Sequence, residues 1–227
     1  MVFDEGSRIM TKFFPLGCII MASGHSTRFG SNKLLQEFQG QPLIQYILNT
    51  TQDLFTERVV VTRYRKIAKL CQEQGIPYLL HDKPYLNDTI RLGMAYCQSS
   101  ELLGYAFCTS DQPFLRWQSV SLLCESFIKT PYAIQRLAYG QSPGNPMIFP
   151  ADLAPELQSL PQDKGGGLLA KKYPERVRLV QVQDKYELFD IDTVRDLRQC
   201  LNLGAAQYLK EWRPELRERC RSHQKSI

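Results

Sequence analysis

No apolar run in these 227 residues approaches the roughly 20 that a membrane span requires, and the longest, Leu16 to Ala22, is strand length. Met1 to Lys12 are mixed polar and charged, without the apolar core of a secretory signal. A cytoplasmic protein with no membrane contact is the simplest expectation. Histidine is scarce: His25, His81 and His223 lie far apart, and none has zinc-motif spacing. The seven cysteines (Cys18, Cys71, Cys97, Cys108, Cys124, Cys200 and Cys220) are scattered, odd in number, and include no Cys-x-x-Cys pair. They read as buried or free thiols in a reducing compartment, which argues against a disulfide framework. Four of the five net positive charges fall between Thr193 and Ile227, but only Tyr208 and Trp212 are interleaved with them. A nucleic-acid surface needs a basic stripe with aromatics at contact spacing. The tail therefore reads as a solvated basic helix, and nucleic acid is not an expected partner.

What the chain does have is alternation. Short β-rich runs occur at Leu16–Ala22, Arg58–Thr62, Ile76–Leu80, Tyr105–Thr109 and Tyr132–Arg136, with later strands, taken as antiparallel additions, at Met147–Phe149 and Val177–Val182. Helical stretches lie between them at Pro42–Thr50, Arg63–Gln74, Thr89–Gln98, Gln118–Phe127, Leu168–Tyr173 and Thr193–Leu203, with another at Ala205–Arg221 interrupted by Pro214. This is the pattern of an α/β protein with a mixed, mainly parallel sheet. No repeat or linker divides it. The expectation is a single domain over 1–227, with a core of about 16–203, an N-terminal extension 1–15 and a basic helical C-terminal extension 204–227.

The first strand runs into Ala22-Ser-Gly-His-Ser-Thr-Arg-Phe-Gly30, followed by Lys33-Leu-Leu35. α/β sheets bind phosphates where a buried strand ends and a helical stretch opens. Gly24 and Gly30 let the backbone turn tightly and approach a ligand. Ser23, Ser26 and Thr27 add small hydroxyls, and Arg28 and Lys33 bring two cations to the same place. A P-loop is excluded because five residues separate Gly24 from Gly30 and Lys33 lies three beyond. A dinucleotide fingerprint is excluded because position 26 is Ser.

Two acidic segments follow. Asp111 ends the Tyr105–Thr109 strand and precedes Pro113, so its carboxylate belongs at the carboxyl edge of the sheet, as a turn or helix cap or as a metal ligand. Asp190 and Asp192 alternate around Ile191 and share a face, and Thr193 with Asp196 three residues later has the spacing of a helix cap.

The loop resembles the signature of the molybdopterin-nucleotide branch of the nucleotidyltransferases, Ala-Ala-Gly-x-Ser-x-Arg-Met-Gly-x-x-Lys-Leu-Leu. Ala22, Gly24, Ser26, Arg28, Gly30, Lys33, Leu34 and Leu35 match, while Ser23 and Phe29 replace Ala and Met. Asp111-Gln-Pro-Phe114 resembles the Asp-Gln-Pro-Phe/Leu motif, and Asp190-Ile-Asp-Thr193 resembles the start of Asp-Ile-Asp-Thr-Pro-Glu-Asp. Thr89 to Met94 is similar to Ser-Leu-x-x-Gly-Leu. Gly144-Asn-Pro-Met-Ile-Phe149 is similar to Gly-His-Pro-Val-Leu-Phe with Asn145 replacing His, and Asp163 to Leu169 is similar to a Gly-Asp-x-Gly-Ala-Arg-x-Leu-Leu run. The motifs occur in family order over most of the chain.

The resemblance implies a three-layer, Rossmann-like fold in which Ala22, Ser23, Gly24, Ser26, Arg28, Lys33 and Thr89 bind nucleotide. Arg28, Lys33 and Asp111 would be the catalytic residues, Asp111 and Asp192 would hold Mg2+, and Asn145 and Pro146 would frame the acceptor. The implied reaction moves CMP from CTP to a molybdopterin-type acceptor and releases pyrophosphate, with a molybdenum hydroxylase as the implied downstream partner. The alternatives are a guanylyltransferase, a sugar- or polyol-phosphate cytidylyltransferase, or a non-catalytic accessory protein that carries cofactor to such a hydroxylase. Two carboxylates held together without a cation would repel, so replacing either by Asn is expected to keep or raise the stability of the empty protein.

Overall fold

The computed structural model describes residues 13–30 and 32–202. The helix expected at Ala205–Arg221 and the side chain of Arg28 lie outside what is described. In chain order the first half contains β1 (Phe14–Ala22), the short hairpin β2 (Glu37–Phe38) and β3 (Gln41–Pro42), α1 (Leu43–Thr50), β4 (Phe55–Thr62), α2 (Arg65–Glu73), β5 (Tyr78–Leu80) and α3 (Leu86–Tyr96). The second half contains β6 (Gly104–Thr109), α4 (Trp117–Lys129), β7 (Ile134–Tyr139), β8 (Ser142–Pro150), α5 (Ala154–Gln158), α6 (Gly167–Lys172), β9 (Val177–Gln181) and α7 (Val194–Asn202).

Seven strands form one sheet in the order β5-β4-β1-β6-β8-β7-β9. β1 is central because both of its faces are apolar. Leu16, Cys18, Ile20 and Ala22 enter one core cluster, and Ile19 enters the other. A strand covered on both sides reads as a continuous apolar run, and it suits parallel pairing with helices above and below. Helices α1 and α2 and helix α4 pack on the first face through Ile44, Ile47, Ile67, Leu123 and Phe127. Helices α3, α5 and α6 pack on the second through Ile90, Met94, Leu157 and Leu169. Each fully buried Ile or Leu contributes roughly 1.5–3 kcal/mol relative to exposure. The six cysteines among the described residues are all free and buried, as expected of core thiols. No helix among the described residues is long and apolar enough to cross a membrane.

Strand direction sets the position of the site. β1 pairs in parallel with β4 and with β6, and β4 pairs in parallel with β5. The chain moves outward from β1 through β4 to β5 and then returns to β6 on the other side of β1. Right-handed crossovers therefore place α1 and α2 on one face and α3 on the other. The reversal opens a crevice at the carboxyl ends of β1 and β6, where α/β sheets bind ligands. Gly93 brings α3 against β1 at close range: a Cβ there would lie 2.4 Å from Ile19 Cγ2. Thr89, one helical turn earlier on the same face, is thereby held over the crevice.

Several expectations need correction. β8 is antiparallel to both β6 and β7, as anticipated, but β9 runs parallel to β7. It is reached by a crossover through α5 and α6, and α5 was not expected. Helix α3 begins at Leu86, earlier than Thr89, because Asp88 accepts the Tyr85 N–H at 3.4 Å and starts the first turn. The β2–β3 hairpin was also not anticipated.

Candidate active site

The loop after β1 is shaped by two left-handed residues, Ser26 (φ 50°) and Gly30 (φ 74°), on either side of a single 3-10 turn at Thr27–Phe29. Gly24 does not share this conformation. A Cβ at Gly24 would meet nothing within 4 Å, so its role is open space at the cavity wall. The loop is held at several points. The Tyr64 hydroxyl donates to the Gly24 carbonyl at 2.6 Å, and the Lys33 N–H donates to Ser26 Oγ at 3.4 Å. Asn32 Oδ1 accepts the Leu34 N–H at 3.1 Å and starts the turn Lys33–Leu35, which buries Leu34. Lys33 is thus fixed at its base and reaches back to the sheet edge.

There the two acidic segments meet. The Ile191 N–H donates to the Asp111 carbonyl at 2.9 Å, and Ile191 is fully buried, which lays Asp190–Asp192 beside the end of β6. Capping of α7 falls to its neighbours. The Thr193 Oγ1 accepts the Asp196 N–H at 3.1 Å, and Asp196 Oδ2 accepts the N–H groups of Thr193 at 2.7 Å and Asp192 at 3.1 Å. The Asp192 carboxylate is left for another purpose. Lys33 Nζ donates to Asp111 Oδ2 and to Asp192 Oδ1, each at 2.8 Å. Burial works against the Lys33 ammonium, but Asp111 and Asp192 outweigh it and hold its pKa above the ordinary lysine value. A cation therefore already sits between the two carboxylates, and the expected relief of repulsion on Asn substitution is overturned: either change removes an ion pair. Desolvation, then the charges of Asp111 and Asp192, push the neighbouring Asp190 carboxyl up to about 6.

A cavity of about 390 Å³ opens above these groups, lined by Ser23 to Thr27, Lys33, Thr89, Asp111 and Asp192 among others. Three of its lining residues carry buried oxygens, Asp111 Oδ1, Thr89 Oγ1 and Thr109 Oγ1, with no hydrogen-bond partner among the described residues. Buried polar groups are normally satisfied, so three orphans along one cavity mark a place for ligand atoms. Among the described residues no cluster of three or more His, Cys, Asp or Glu could hold a metal by itself. Mg2+ takes one or two carboxylates and completes its octahedron with phosphate and water oxygens. The pair Asp111 and Asp192, bridged by an ammonium and with Asp111 Oδ1 unsatisfied, fits that demand.

A second cavity of about 510 Å³ adjoins the first and shares Met21, Leu86 and Thr109 with it. Asn145 lines this second space, and Pro146 does not. Ala22 lines neither: its methyl is buried in the core. The Gly-rich segment spans both spaces, with Asp163 in the first and Gly165–Gly167 in the second. His25 lines the first, with the Arg63 guanidinium against its ring.

The part played by His81 escaped the sequence reading. His81 Nδ1 accepts the Lys83 N–H at 3.1 Å, so Nε2 carries the proton and donates to Ser23 Oγ at 2.8 Å; that hydroxyl donates onward to the Val61 carbonyl at 3.0 Å. Burial, then Arg63, lowers the His81 pKa and keeps the ring neutral. The Ser23 hydroxyl is thus committed to β4 and spends its proton on Val61, which corrects its expected part as a hydroxyl donor: Ser23 lines the cavity, but its O–H points to Val61. A lone His 58 positions from its partner gives no sequence signal.

A central parallel strand, a crevice at the strand reversal, and a lysine between two carboxylates beside the end of β6 together describe a domain of the nucleotidyltransferase type. Residues 18–177 match the MobA-like NTP transferase domain, and the chain belongs to that family. A "probable molybdenum cofactor guanylyltransferase" of Aquifex aeolicus (strain VF5) is 26% identical over 119 residues, which are 52% of this chain and 57% of that protein. The chain spans a little over half the length of the curated relatives it matches. Among solved structures, Rv0371c of Mycobacterium tuberculosis H37Rv superposes with a TM-score of 0.72 at 21% identity, covering 82% of this chain and 97% of that one, and a second structure of it is a complex with manganese (TM-score 0.68). CMP:2-keto-3-deoxy-manno-octonic acid synthetase complexed with CTP superposes with a TM-score of 0.68 at 16% identity, covering 85% and 99%. At such identities the structural likeness concerns the fold. These relatives lend no support to a molybdenum hydroxylase as partner.

Proposed function

We propose that this chain transfers a nucleoside monophosphate, CMP from CTP, to a molybdopterin-type phosphorylated acceptor and releases pyrophosphate. The observation that carries the reading is the convergence, along one cavity, of Lys33, the Asp111 and Asp192 carboxylates and three buried polar atoms without a partner among the described residues. The triphosphate would lie along the loop Ser23–Lys33, with Arg28 and Lys33 against its charge. An acceptor oxyanion, already ionised at neutral pH, attacks the α-phosphorus in line as the bond to pyrophosphate breaks. Such chemistry needs positioning and charge neutralisation more than a protein nucleophile. Lys33 would exchange its two carboxylates for phosphate oxygens, and Asp111 and Asp192 would then hold Mg2+. When bound, the metal would supply charge stabilisation at the reacting phosphates. Thr89 and Thr109, whose hydroxyls are buried without a partner among the described residues, would give contacts to the nucleotide.

A thermal-shift panel of CTP, GTP, ATP and UTP with Mg2+, followed by pyrophosphate release on adding acceptor, tests the proposal. CTP is expected to stabilise most, by roughly 2.7 kcal/mol at about 100 times its dissociation constant. A second reading, GTP as donor, is favoured by the name of the Aquifex relative, and a larger shift with GTP would establish it in place of CTP. Nucleotide binding without pyrophosphate release would instead point to a carrier.

A further inference from the structure

The second cavity has a charge balance opposite to that of the first. Arg136, Lys164 and Lys171 line it, and no carboxylate does among the described residues. Nor does any carboxylate among the described residues pair with these three cations elsewhere. Lys164 and Lys171 are exposed and sit there at little cost. Arg136 differs, because it is partly buried on β7, and burial alone lowers its pKa from the ordinary arginine value. A charge withdrawn from water without a counter-charge is unfavourable.

The geometry of Arg136 points to its use. Its Nε donates to the Gly144 carbonyl at 2.7 Å, which fixes the plane of the guanidinium across the β7–β8 pair. The two Nη groups are left as a fork, the arrangement that takes two oxygens of a phosphate at once. The wall beside it is apolar: Met147 pairs with Arg136 and Phe107 with Met147, so with Phe149 they share its sheet face, buried, while Leu86 and Leu168 are exposed at the rim.

We propose that Arg136, supported by Lys164 and Lys171, forms an anion seat in the second cavity that holds a phosphoryl group of the acceptor, while the apolar wall takes the body of that molecule. Asn145, the residue after the carbonyl that orients Arg136 and two before Met147, the register partner of Arg136, is a flanking group in this arrangement. The inference rests on the transfer reading for the word acceptor, but the seat itself can be tested separately.

The test uses the full chain with Mg2+ and a saturating nucleoside triphosphate whose α,β-bridging oxygen is replaced by methylene, so that the first cavity is filled. Phenyl phosphate is then titrated calorimetrically, with inorganic phosphate in parallel. Phenyl phosphate is expected to bind more tightly than inorganic phosphate. Arg136→Gln should weaken phenyl phosphate about tenfold, the loss expected for a charge-assisted pair of bonds, with nucleotide affinity unchanged. Equal phenyl phosphate affinity in wild type and Arg136→Gln overturns the proposal. If Arg136→Gln does not fold, the double variant Lys164→Gln/Lys171→Gln, altered only at exposed side chains, decides: a several-fold loss supports the seat and no loss overturns it. Failure of the nucleotide analogue to bind wild type would count against the transfer reading alone, and titration of phenyl phosphate into the nucleotide-free protein would then judge the seat.

Discussion

The two adjoining cavities differ in how their charges are matched. In the first, a lysine ammonium lies between two carboxylates from chain positions far apart, and each of these three charges has an opposite at 2.8 Å. In the second, three cations face apolar wall and open space, without a carboxylate among the described lining residues. A matched site must exchange partners when ligand arrives, whereas an unmatched one waits for its counter-charge. The strands underneath differ in the same way. The first cavity stands on the carboxyl ends of parallel β1 and β6; the second stands on antiparallel β8 and its neighbour β7.

Substitutions in the first cavity should act on turnover, and the largest effect is expected from Asp111→Asn and Asp192→Asn. Each should lower the rate on the order of a thousandfold, the scale of losing a main charge-stabilising group. Each should also lower the melting temperature of the nucleotide-free protein, because Lys33 loses a partner. Rates against Mg2+ concentration, beside apo melting curves, check both statements. Substantial activity with an unchanged Mg2+ requirement would remove that residue from the metal site and dissolve the contrast between the cavities.

Lys33→Met should cost about a hundredfold in kcat at saturating nucleotide. The same variant leaves Asp111 and Asp192 facing each other without a cation, so Mn2+ should bind it more tightly than wild type in the absence of nucleotide, read by paramagnetic relaxation of water. Weaker Mn2+ binding would mean that the lysine supports the carboxylates as metal ligands in place of competing for them.

Glu187 tests the scaffold that both cavities share. It is 1% exposed, and its Oε2 accepts Ser119 Oγ at 2.5 Å and the Arg116 N–H at 3.3 Å, so it serves as a remote cap for α4, which has no acid in its own first turn. Glu187→Ala should cost about 1–2 kcal/mol, the range for losing a cap. Desolvation raises the folded pKa of Glu187 above its ordinary value. The folded state therefore holds this proton more tightly than the unfolded chain does, and this residue's contribution to stability declines as pH rises from about 4.3 through the raised value. Glu187→Gln should remove that decline, seen in denaturation midpoints across the acid range.

Thr89→Val is the smallest and most discriminating change. Its Oγ1 is buried and unpartnered, so the apo protein should be as stable or slightly more stable, while nucleotide affinity falls about tenfold or less. Unchanged affinity would assign Thr89 to the scaffold alone.

Legibility in the sequence followed locality. The loop after β1 could be read because strand, turn and cations are contiguous, and the cap of α7 could be read because Thr193 and Asp196 are three residues apart. His81 and Glu187 could not, since the partners that decide their roles, Ser23 for one and Arg116 and Ser119 for the other, lie 58 to 71 positions away. The parallel pairing of β9 was hidden for the same reason: direction depends on the route of the crossover, which a run of apolar residues does not encode.

The sequence by itself determined the α/β class, because an apolar strand period and an amphipathic helix period alternate along the chain. It also determined the chemistry available at the strand ends. Only the tertiary structure decided that Lys33 would lie between Asp111 and Asp192, that the Ser23 hydroxyl would turn away to Val61, and that Arg136 would be partly buried with no acid paired to it among the described residues. Each of these depends on which side chains a folded sheet edge brings within about 3 Å, the range at which hydrogen bonds and ion pairs form, and separation along the chain carries no such information.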